Sequence, residues 1–256
     1  MGKTVTTVQS VDRALEILNI LQKEPHGIGV TRLSEKLDVS KSTAHRLLMS
    51  LLKENFVQQD EDNQRYHLGL RLMELGQTVT DQLDIRQIAS PIMHGLVETT
   101  GETTHLVIRD RSEIVYIDKI ENSKTIRMFS NIGKRAPMHC TGVGKAILAF
   151  LPEEQIHWVI EQSGLPRFTD TTITDREELL QHLEEIRSRG YSIDNEEHEK
   201  GIKCAAAPIL NSKGEVVAGI SVAGPIMRIN DDNIDWIAVN VLQAAKAISK
   251  SLGGTI

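Results

Sequence analysis

The feature that most constrains this chain is a three-residue link, Asp38-Val39-Ser40, between two short amphipathic stretches. The first stretch, residues 31–37, is predicted to be a helix that buries Leu33 and Leu37. The second starts at Ser40, a favourable helix N-cap, and carries apolar residues at helical spacing, namely Ala44, Leu47, Leu48 and Leu51. So short a link forces the helices to cross at an angle, which is the geometry of a helix-turn-helix.

The flanking segments predict the remaining parts of a winged helix-turn-helix. An earlier helix is expected to have Ser10 as its cap and to end at Pro25-His26-Gly27; its apolar stripe consists of Val11, Ala14, Leu15, Leu18 and Leu21. Strand-like residues 56–58 and 65–68 enclose a polar turn, which predicts a hairpin. Residues 1–69 are therefore assigned to a winged helix-turn-helix domain.

The rest of the chain predicts a linker helix over 70–84 and a second domain over 85–256. An amphipathic helix opens the second domain, and stretches rich in β-branched residues predict strands at 103–109, 113–120 and 125–131. Further helices are expected at about 141–150, 153–162, 175–188 and 232–252, with strands at 191–196, 202–210 and 215–223. This order predicts an α+β fold with an antiparallel sheet flanked by helices.

The distribution of charged residues favours DNA as a partner in only one segment of the sequence. The chain has 29 basic and 35 acidic residues, and residues 1–69 are balanced at nine of each. Between Ser40 and Lys53, however, there is no acidic residue. The predicted second helix there presents Lys41, Ser42, Thr43, His45 and Arg46 opposite its apolar stripe.

Those side chains suit the reading of double-stranded operator DNA. Lys41 and Arg46 can neutralise phosphates, while hydroxyl groups and His45 can reach base edges, and Arg65 of the hairpin adds a further cation. The alternative is a helical hairpin whose polar face is merely solvated. A single domain of zero net charge would bind DNA weakly, so DNA binding implies dimerisation.

Cysteine content and hydropathy indicate a soluble cytoplasmic protein with no membrane partner. Only two cysteines occur, which provides no disulfide framework. The longest apolar run, residues 146–151, is far too short to span a bilayer. The N-terminus lacks the apolar core of a signal peptide.

The whole chain, from about residue 8 to 252, resembles the IclR family of bacterial transcriptional regulators. In the first domain the matching strings are Ser10-Val-Asp-Arg-Ala-Leu-Glu-Ile-Leu, Leu33-Ser-Glu-Lys-Leu, Ser40-Lys-Ser-Thr-Ala-His-Arg-Leu-Leu and Tyr66-His-Leu-Gly-Leu-Arg-Leu. In the second they are Ile132-Gly-Lys-Arg-Ala-Pro-Met-His-Cys-Thr-Gly-Val-Gly-Lys-Ala-Ile-Leu-Ala, Arg189-Gly-Tyr-Ser-Ile-Asp-Asn-Glu-Glu and Gly201-Ile-Lys-Cys-Ala-Ala-Ala-Pro-Ile. The resemblance implies a winged helix joined to a GAF-like effector domain, assembly as dimers or dimers of dimers, and no cofactor.

Within the family, the chain is most similar to the KdgR-type subgroup, which regulates pectin and hexuronate breakdown. The strings that indicate this subgroup include Thr104-His-Leu, Ile114-Val-Tyr-Ile-Asp-Lys-Ile, Ile126-Arg-Met and Thr172-Ile-Thr. The similarity implies a repressor of a sugar-acid catabolic operon. The implied effector is a keto or sugar acid, with 2-keto-3-deoxygluconate as the subgroup's ligand.

An effector pocket is also indicated by the residues themselves. By strand alternation, Cys204 shares a face with Ala206, and Ser221 shares one with Gly219 and Ala223. Such small side chains leave space above the sheet, unless a helix packs closely there instead. Next to them, a helix that starts at Thr141-Gly142-Val143 would offer free N–H groups to a carboxylate.

The family resemblance gives the pocket a set of lining residues: Met128, Thr141, Gly142, Val143, Asp194, Cys204 and Ser221. Ala223 stands where a second pocket serine is often found in the family. Asp194 is expected to accept hydrogen bonds from ligand hydroxyls.

Other chemistries have weaker support in the sequence. Gly144-Lys145 resembles a phosphate-binding loop, but His139 and Ala146 occupy positions that require Gly and Ser or Thr. His139, Cys140, His198 and Cys204 lack the compact spacing of a metal site, so no metal is expected. A binding module or sugar-acid enzyme, whose N-terminal helices only mediate association, stays open as the competing class.

Overall fold

The structure, a computed structural model, describes residues 7–81, 84–121 and 130–255 and divides the chain into two compact units between residues 82 and 83. The helices and strands of the first unit are α1 (Gln9–Gln22), α2 (Val30–Lys36), α3 (Lys41–Lys53), β1 (Val57–Gln59), β2 (Tyr66–Leu68) and α4 (Arg71–Asp81). Strands β1 and β2 pair antiparallel. The predicted winged helix-turn-helix is thereby confirmed.

Of the two helix N-caps predicted for the first unit, one is confirmed and the other is wrong. Ser40 precedes α3 as predicted, and its Oγ accepts a hydrogen bond from the Thr43 N–H at 3.2 Å. Ser10 does not cap α1, because that helix starts two residues earlier than predicted, at Gln9, with Val8 in the N-cap position. Ser10 is therefore the second residue of the helix.

The apolar stripe predicted for α1 is only partly buried. Ile17 and Leu21 lie in the core with Leu33, Leu48 and Tyr66, whereas Val11 and Leu15 are 54% and 55% exposed. Leu21 of the predicted stripe is thus buried, whereas the described residues leave the exposed pair uncovered. Ile17, which completes the buried face, was not part of the predicted stripe.

The second unit is an antiparallel sheet with helices on both faces, which confirms the α+β class. Its helices are α5 (Asp84–Thr100), α6 (Gly142–Ala149), α7 (Glu153–Ser163), α8 (Arg176–Arg189) and α9 (Ile234–Ser251). Its strands are β3 (Thr103–Asp110), β4 (Glu113–Ile120), β5 (Arg135–Pro137), β6 (Ser192–Asn195), β7 (Ile202–Leu210) and β8 (Val216–Pro225). They are arranged in the order β5-β4-β3-β8-β7-β6.

One strand of this unit was not predicted, and another prediction is largely outside the described residues. Residues 125–129 of the expected third strand are not described, and residues 130–131 are not in a strand. Strand β5 was missed because it is three residues long and is defined by its pairing with β4. Among the helices described, none is long and apolar enough to cross a membrane.

The two faces of the sheet pack against different helices. One face packs against α5 and α9 through residues such as Leu106, Ile220 and Val222. The other carries the small residues and packs against α6, α7 and α8. Helix α6 approaches so closely that a Cβ added to Gly219 would lie 2.6 Å from Val143 Cγ2. Close helix packing and a pocket therefore occur side by side on this face.

A pair of glycine substitutions tests this close approach. We expect Gly219→Ala to lower the free energy of unfolding by about 1–3 kcal/mol, because the added methyl pushes α6 away from the sheet. A Cβ added to Gly95, in α5, would meet nothing within 4 Å, so Gly95→Ala should raise stability by roughly 0.5–1 kcal/mol. Urea unfolding followed by circular dichroism measures both, and equal stabilities would contradict the packing described.

Candidate functional site

Helix α3 presents a polar face that is separate from its buried one. Ala44 and Leu48 are buried in the core of the first unit. On the outside, Lys41, Ser42, His45 and Arg46 are exposed, and Thr43 is half-buried. The cap fixes the start of this face, since Ser40 Oγ is hydrogen-bonded to Ser42 Oγ and Thr43 Oγ1 at 3.0 and 2.9 Å.

The basic side chains on the polar face of α3 can bind an anion directly, whereas those of α2 are already paired with a carboxylate. Arg32 and Lys36 of α2 lie 3.5 and 2.8 Å from the carboxylate of Glu24. Within residues 7–81, by comparison, Lys41 and Arg46 form no ion pair. Unpaired exposed cations need no internal bond to be broken before they bind an anion.

Arg65 is the candidate residue on the hairpin. It lies just before β2, is exposed, and donates from Nη1 to the carbonyl oxygen of His26 at 3.2 Å. This bond attaches it to the loop that follows α1. Arg65 thus lies on the β1–β2 hairpin, which is the wing of the domain. It belongs to the same unit as α3.

The second candidate site is a cavity of about 50 Å³ over the small-residue face of the sheet. It brings together six of the seven residues predicted for an effector pocket: Thr141, Gly142, Val143, Asp194, Cys204 and Ser221. The seventh, Met128, lies outside the described residues. Lining residues that the prediction missed are His105, Tyr116, Ser130, Lys134, His198, Glu199 and Ile202, and Ala223 lines the cavity too.

Strand pairing explains why these floor residues meet. Cys204 pairs with Asp194 on one side and with Ala223 on the other, so all three point to one face. Ser221 pairs with His105 of β3. The alternation of β3 contained the signal for His105, because every second residue of that strand has to share the face of Ser221.

The start of α6 forms one wall of the cavity. Thr141 Oγ1 caps the helix by accepting from the Gly144 N–H at 3.2 Å and donates to the Pro137 carbonyl at 2.6 Å. The N–H groups of Gly142 and Val143 are the first two of the helix and have no acceptor within it. A Cβ on Gly142 would lie only 3.0 Å from Cys204 Sγ, so glycine permits this wall to reach the floor.

The opposite wall is polar and uncharged. His105 Nε2 and Ser130 Oγ are hydrogen-bonded at 2.6 Å, and burial lowers the pKa of His105 to about 3, with Lys119 adding to the effect. Tyr116 packs edge-on against His105, with ring centroids 5.3 Å apart. Burial raises the pKa of Tyr116, so both side chains stay neutral at physiological pH.

Asp194 is the pocket residue whose state differs most from expectation. It is only 6% exposed, and its Oδ1 accepts a hydrogen bond from the Glu197 N–H at 2.8 Å. Burial, followed by the charge of Glu197, raises the pKa of Asp194 to about 7. A fixed anion was expected here, whereas this carboxyl exchanges its proton near neutral pH.

Lys145 lies directly behind this carboxyl, on α6. Its side chain is fully buried, and Nζ donates to Glu197 Oε1, to the Ile193 carbonyl at 2.9 Å and to His182 Nε2 at 3.2 Å. The lysine therefore points into the protein, which agrees with the argument against a phosphate-binding loop. Sequence inspection gave no sign that Lys145 and Glu197 would meet.

The cysteine and histidine residues do not form a metal centre. Cys140 is buried and is absent from the cavity lining, and burial raises its pKa to about 12. His139 is hydrogen-bonded through Nε2 to the Pro166 carbonyl at 3.1 Å. Across the residues that the structure describes, no group of three potential metal ligands occurs.

A larger groove of about 970 Å³ lies at the other end of α6. It is bordered by α7, α8 and the β7–β8 turn, and its lining includes Arg109, Arg187, Glu153 and Glu184. It contains none of the predicted site residues. The smaller cavity, where the predicted residues converge, is the better candidate site despite its size.

Comparison with known proteins covers both units. Residues 10–61 match the IclR helix-turn-helix domain, and residues 77–250 match the bacterial transcriptional regulator IclR C-terminal domain. The transcriptional regulator KdgR of Dickeya chrysanthemi is 38% identical over 246 residues, which is 95% of this chain and 81% of that protein. The transcriptional repressor AllR of Salmonella typhimurium is 38% identical over 245 residues, or 96% and 90%.

The fold agrees with the sequence matches. The crystal structure of the Thermotoga maritima IclR superimposes with a TM-score of 0.80 at 36% identity, covering 95% of this chain and 98% of that one. Its coverage includes both units described above. On these matches of sequence and structure, the chain belongs to the IclR family of bacterial transcriptional regulators, which join a DNA-binding helix-turn-helix domain to an effector-binding C-terminal domain.

Proposed function

We propose that this regulator is a repressor of a carbohydrate or sugar-acid catabolic operon and that a small keto or sugar acid releases it from DNA. The observation that carries the proposal is the exposed, acid-free face of α3, whose cations are unpaired among residues 7–81. The name of the relative AllR supports repression. An enzyme is set aside, because the matched family consists of regulators.

The side chains of α3 divide into two roles. Lys41 and Arg46 contact phosphates, which positions the helix in the major groove, while Ser42 and His45 reach base edges. Ser40 holds the hydroxyls of Ser42 and Thr43 alike, at 3.0 and 2.9 Å, and each keeps further hydrogen-bonding capacity for a base edge. Arg65 on the wing contacts the backbone next to the groove.

Removing the α3 cations should weaken binding to all duplexes equally. We expect the Lys41→Ala/Arg46→Ala variant to lose affinity for operator and random DNA alike, and the slope of log affinity against log salt to flatten by about two ions. Fluorescence anisotropy over a salt series measures both quantities. The probe is a duplex recovered from the source genome with the parent protein.

A matched control uses a lysine at the other end of the same helix. Lys53 is the last residue of α3 and lies roughly 18 Å along the helix axis from Lys41. Lys53→Ala should leave the salt slope nearly unchanged. Parental affinity of the double variant at roughly 150 mM salt would show that α3 is not the DNA-reading helix.

Assembly into a homodimer or homotetramer is part of this proposal, because one winged domain makes too few phosphate contacts. Leu70, the residue before α4, and Met73, in its first turn, are 67% and 71% exposed. Val11 and Leu15 of α1 are exposed as well, so this unit has apolar side chains on its surface that a second copy can cover.

Polar substitution at the start of α4 should weaken the assembly. We expect the parent to sediment as a dimer or tetramer at micromolar concentration and Leu70→Ser/Met73→Ser to shift toward monomer, since the buried apolar area is reduced. Met49→Ser, at an exposed methionine of α3, serves as the control. A monomeric parent, with or without DNA, would refute the proposed assembly.

The cavity suits a small anionic ligand. The N–H groups of Gly142 and Val143 bind its carboxylate, and Cys204 and Ser221 form the floor beneath it. The cavity between the described residues, of about 50 Å³, accommodates the carboxylate end of glyoxylate, pyruvate or 2-keto-3-deoxygluconate.

Gly142 provides the sharpest test of the pocket. A methyl group there would lie 3.0 Å from Cys204 Sγ and 3.3 Å from Asp194 Cβ, so Gly142→Ala should reduce ligand affinity more than tenfold. Calorimetry with glyoxylate, pyruvate and 2-keto-3-deoxygluconate measures this on parent and variant. Ser221→Ala, which removes one hydrogen bond, should cost only about 0.5–1.5 kcal/mol, or roughly threefold to tenfold.

DNA binding by the Gly142→Ala protein is the control, because the substitution lies in the other unit. It should equal that of the parent in the absence of ligand. Equal ligand affinity in both proteins would move the effector site elsewhere. Failure of every tested acid to bind the parent would remove the proposed ligand class.

Release from DNA follows from thermodynamic linkage. A ligand can release the protein from DNA only if its affinity for a second conformation is higher than its affinity for the DNA-competent conformation. DNA must then weaken ligand binding by the same factor. Titrating the ligand with and without operator measures that factor directly.

A further inference from the structure

Three ionisable side chains form a buried cluster at the inner end of the pocket: Lys145, Asp194 and Glu197. An ammonium group has three N–H donors, and those of Lys145 are directed to Glu197 Oε1, the Ile193 carbonyl and His182 Nε2. All three are therefore occupied by protein atoms. Lys145 compensates charge in the cluster but has no donor left for a ligand.

The cluster contains more negative than positive groups. Asp194 lies next to Glu197, and its Oδ1 accepts a hydrogen bond from the backbone N–H of Glu197 at 2.8 Å. Lys145 pairs with Glu197 through Oε1, while Glu197 Oε2 is buried without a hydrogen-bond partner among the described residues. With both carboxyl groups ionised, the cluster carries a net charge of about −1 in surroundings that penalise charge.

Among the residues that the structure describes around the cluster, no neighbouring group offsets this excess. Burial lowers the pKa of His182 to about 4 and lowers those of His139 and His198, so these imidazoles are neutral. Burial raises the pKa values of Cys140, Cys204 and Tyr116, so these groups are neutral too. The other charged groups nearby are Lys134 and Glu199 at the exposed rim, which are opposite in sign, and Glu178, Glu185 and Arg189 on the side of α8.

We propose that the effector binds together with one proton, so that Asp194 enters the complex as a carboxylic acid that donates a hydrogen bond to the ligand. The inference rests on the proposed effector pocket. A ligand carboxylate adds one negative charge to a cluster that already has an excess. The start of α6 provides only about half a positive charge, so a proton on Asp194 is the least costly compensation.

The role of Asp194 is then the reverse of the one expected from sequence. An ionised Asp194 would accept hydrogen bonds from ligand hydroxyls and repel a carboxylate. A protonated Asp194 donates to the ligand's carboxylate or carbonyl oxygen, as no ionised carboxylate can.

The direction of the pH dependence follows from the proton. In the free protein Asp194 has a pKa of about 7, and the bound anion raises it further. Below neutral pH the carboxyl is already protonated, so affinity is flat. Above about pH 8 each ligand must bring a proton with it, and affinity falls by up to roughly tenfold per pH unit.

The same argument predicts selection against a second negative charge. Oxamate and oxalate are planar acids with the same number of heavy atoms, but oxalate is a dianion. We expect oxamate to bind at least tenfold more tightly than oxalate at neutral pH, because one proton on Asp194 compensates only one added charge. Equal binding of the two would overturn the charge argument.

Calorimetry in buffers of different ionisation enthalpy counts the proton. The full-length protein is titrated near pH 8 with pyruvate, glyoxylate and oxamate in phosphate and in Tris. The observed heat should differ between buffers by an amount that corresponds to uptake of close to one proton. Clear binding with no buffer dependence would overturn this inference and leave the effector pocket in place, whereas no binding at all would refute the proposed ligand class along with it.

A matched pair of variants assigns the proton. Asp194→Asn keeps the shape of the side chain but cannot titrate, so it should bind the same acids without proton uptake and without the loss of affinity above pH 8. Glu184→Gln, at an exposed acid of α8 that lines the larger groove, should take up the proton as the parent does. Proton uptake that persists in Asp194→Asn would contradict the assignment to Asp194.

Unfolding of the ligand-free protein supplies an independent readout. Because the folded-state pKa of Asp194 lies above its unfolded value, the folded state binds the extra proton between about pH 4 and 7. Stability from this group is therefore greatest at low pH and is lost as pH rises through that window. The decline in unfolding free energy should be shallower in Asp194→Asn than in the parent, and identical profiles would contradict the burial of a titrating Asp194.

Discussion

The second unit depends on the close approach of α6 to strands β7 and β8. Gly219 lies beneath Val143, and Gly142 lies against Cys204. Because no side chain separates helix from sheet at these points, the first N–H groups of α6 reach the floor of the cavity. Two residues after Val143, the same geometry directs Lys145 into the interior. The unbonded N–H groups at the start of α6, the floor of the cavity and the buried ammonium are thus consequences of one packing contact.

Charge is treated in opposite ways in the two units. On α3 the cations are exposed and have no ion-pair partner within residues 7–81, so they can exchange counterions for phosphates. Around the cavity, Lys145 is paired and His105 is held neutral by burial. The chain's net charge of −6 is therefore no obstacle to DNA binding, because the potential at one helix face is what DNA meets.

The sequence predicted the features that depend on nearby residues. The Ser40 cap is formed with the N–H of Thr43, three positions on, and was correctly predicted. Strand β7 was predicted at its observed ends because its apolar run stops at the turn that begins with Asn211. The convergence of Asp194, Cys204 and Ser221 also follows from alternation once the strands pair.

Features that depend on distant residues were missed or misassigned. Periodicity identified the apolar stripe of α1 but not what covers it, so the exposure of Val11 and Leu15 was not foreseen. Lys145 and Glu197 are 52 positions apart, and the acidic run around Glu197 has the composition of a solvated turn. Only the packing of α6 against β6, and of α8 against α6, makes it a buried one, and the pKa of Asp194 changes as a result.

The proton and the DNA become coupled through the ligand. If the effector binds with a proton and binds poorly to the DNA-bound conformation, linkage requires that protons favour release while effector is present. At a fixed effector concentration, a rise in pH above neutral then weakens effector binding and returns the protein to DNA. Under the proposed scheme, a single buried carboxyl makes the regulator respond to the product of acid and proton concentrations, because the cluster has one cation for two carboxylates.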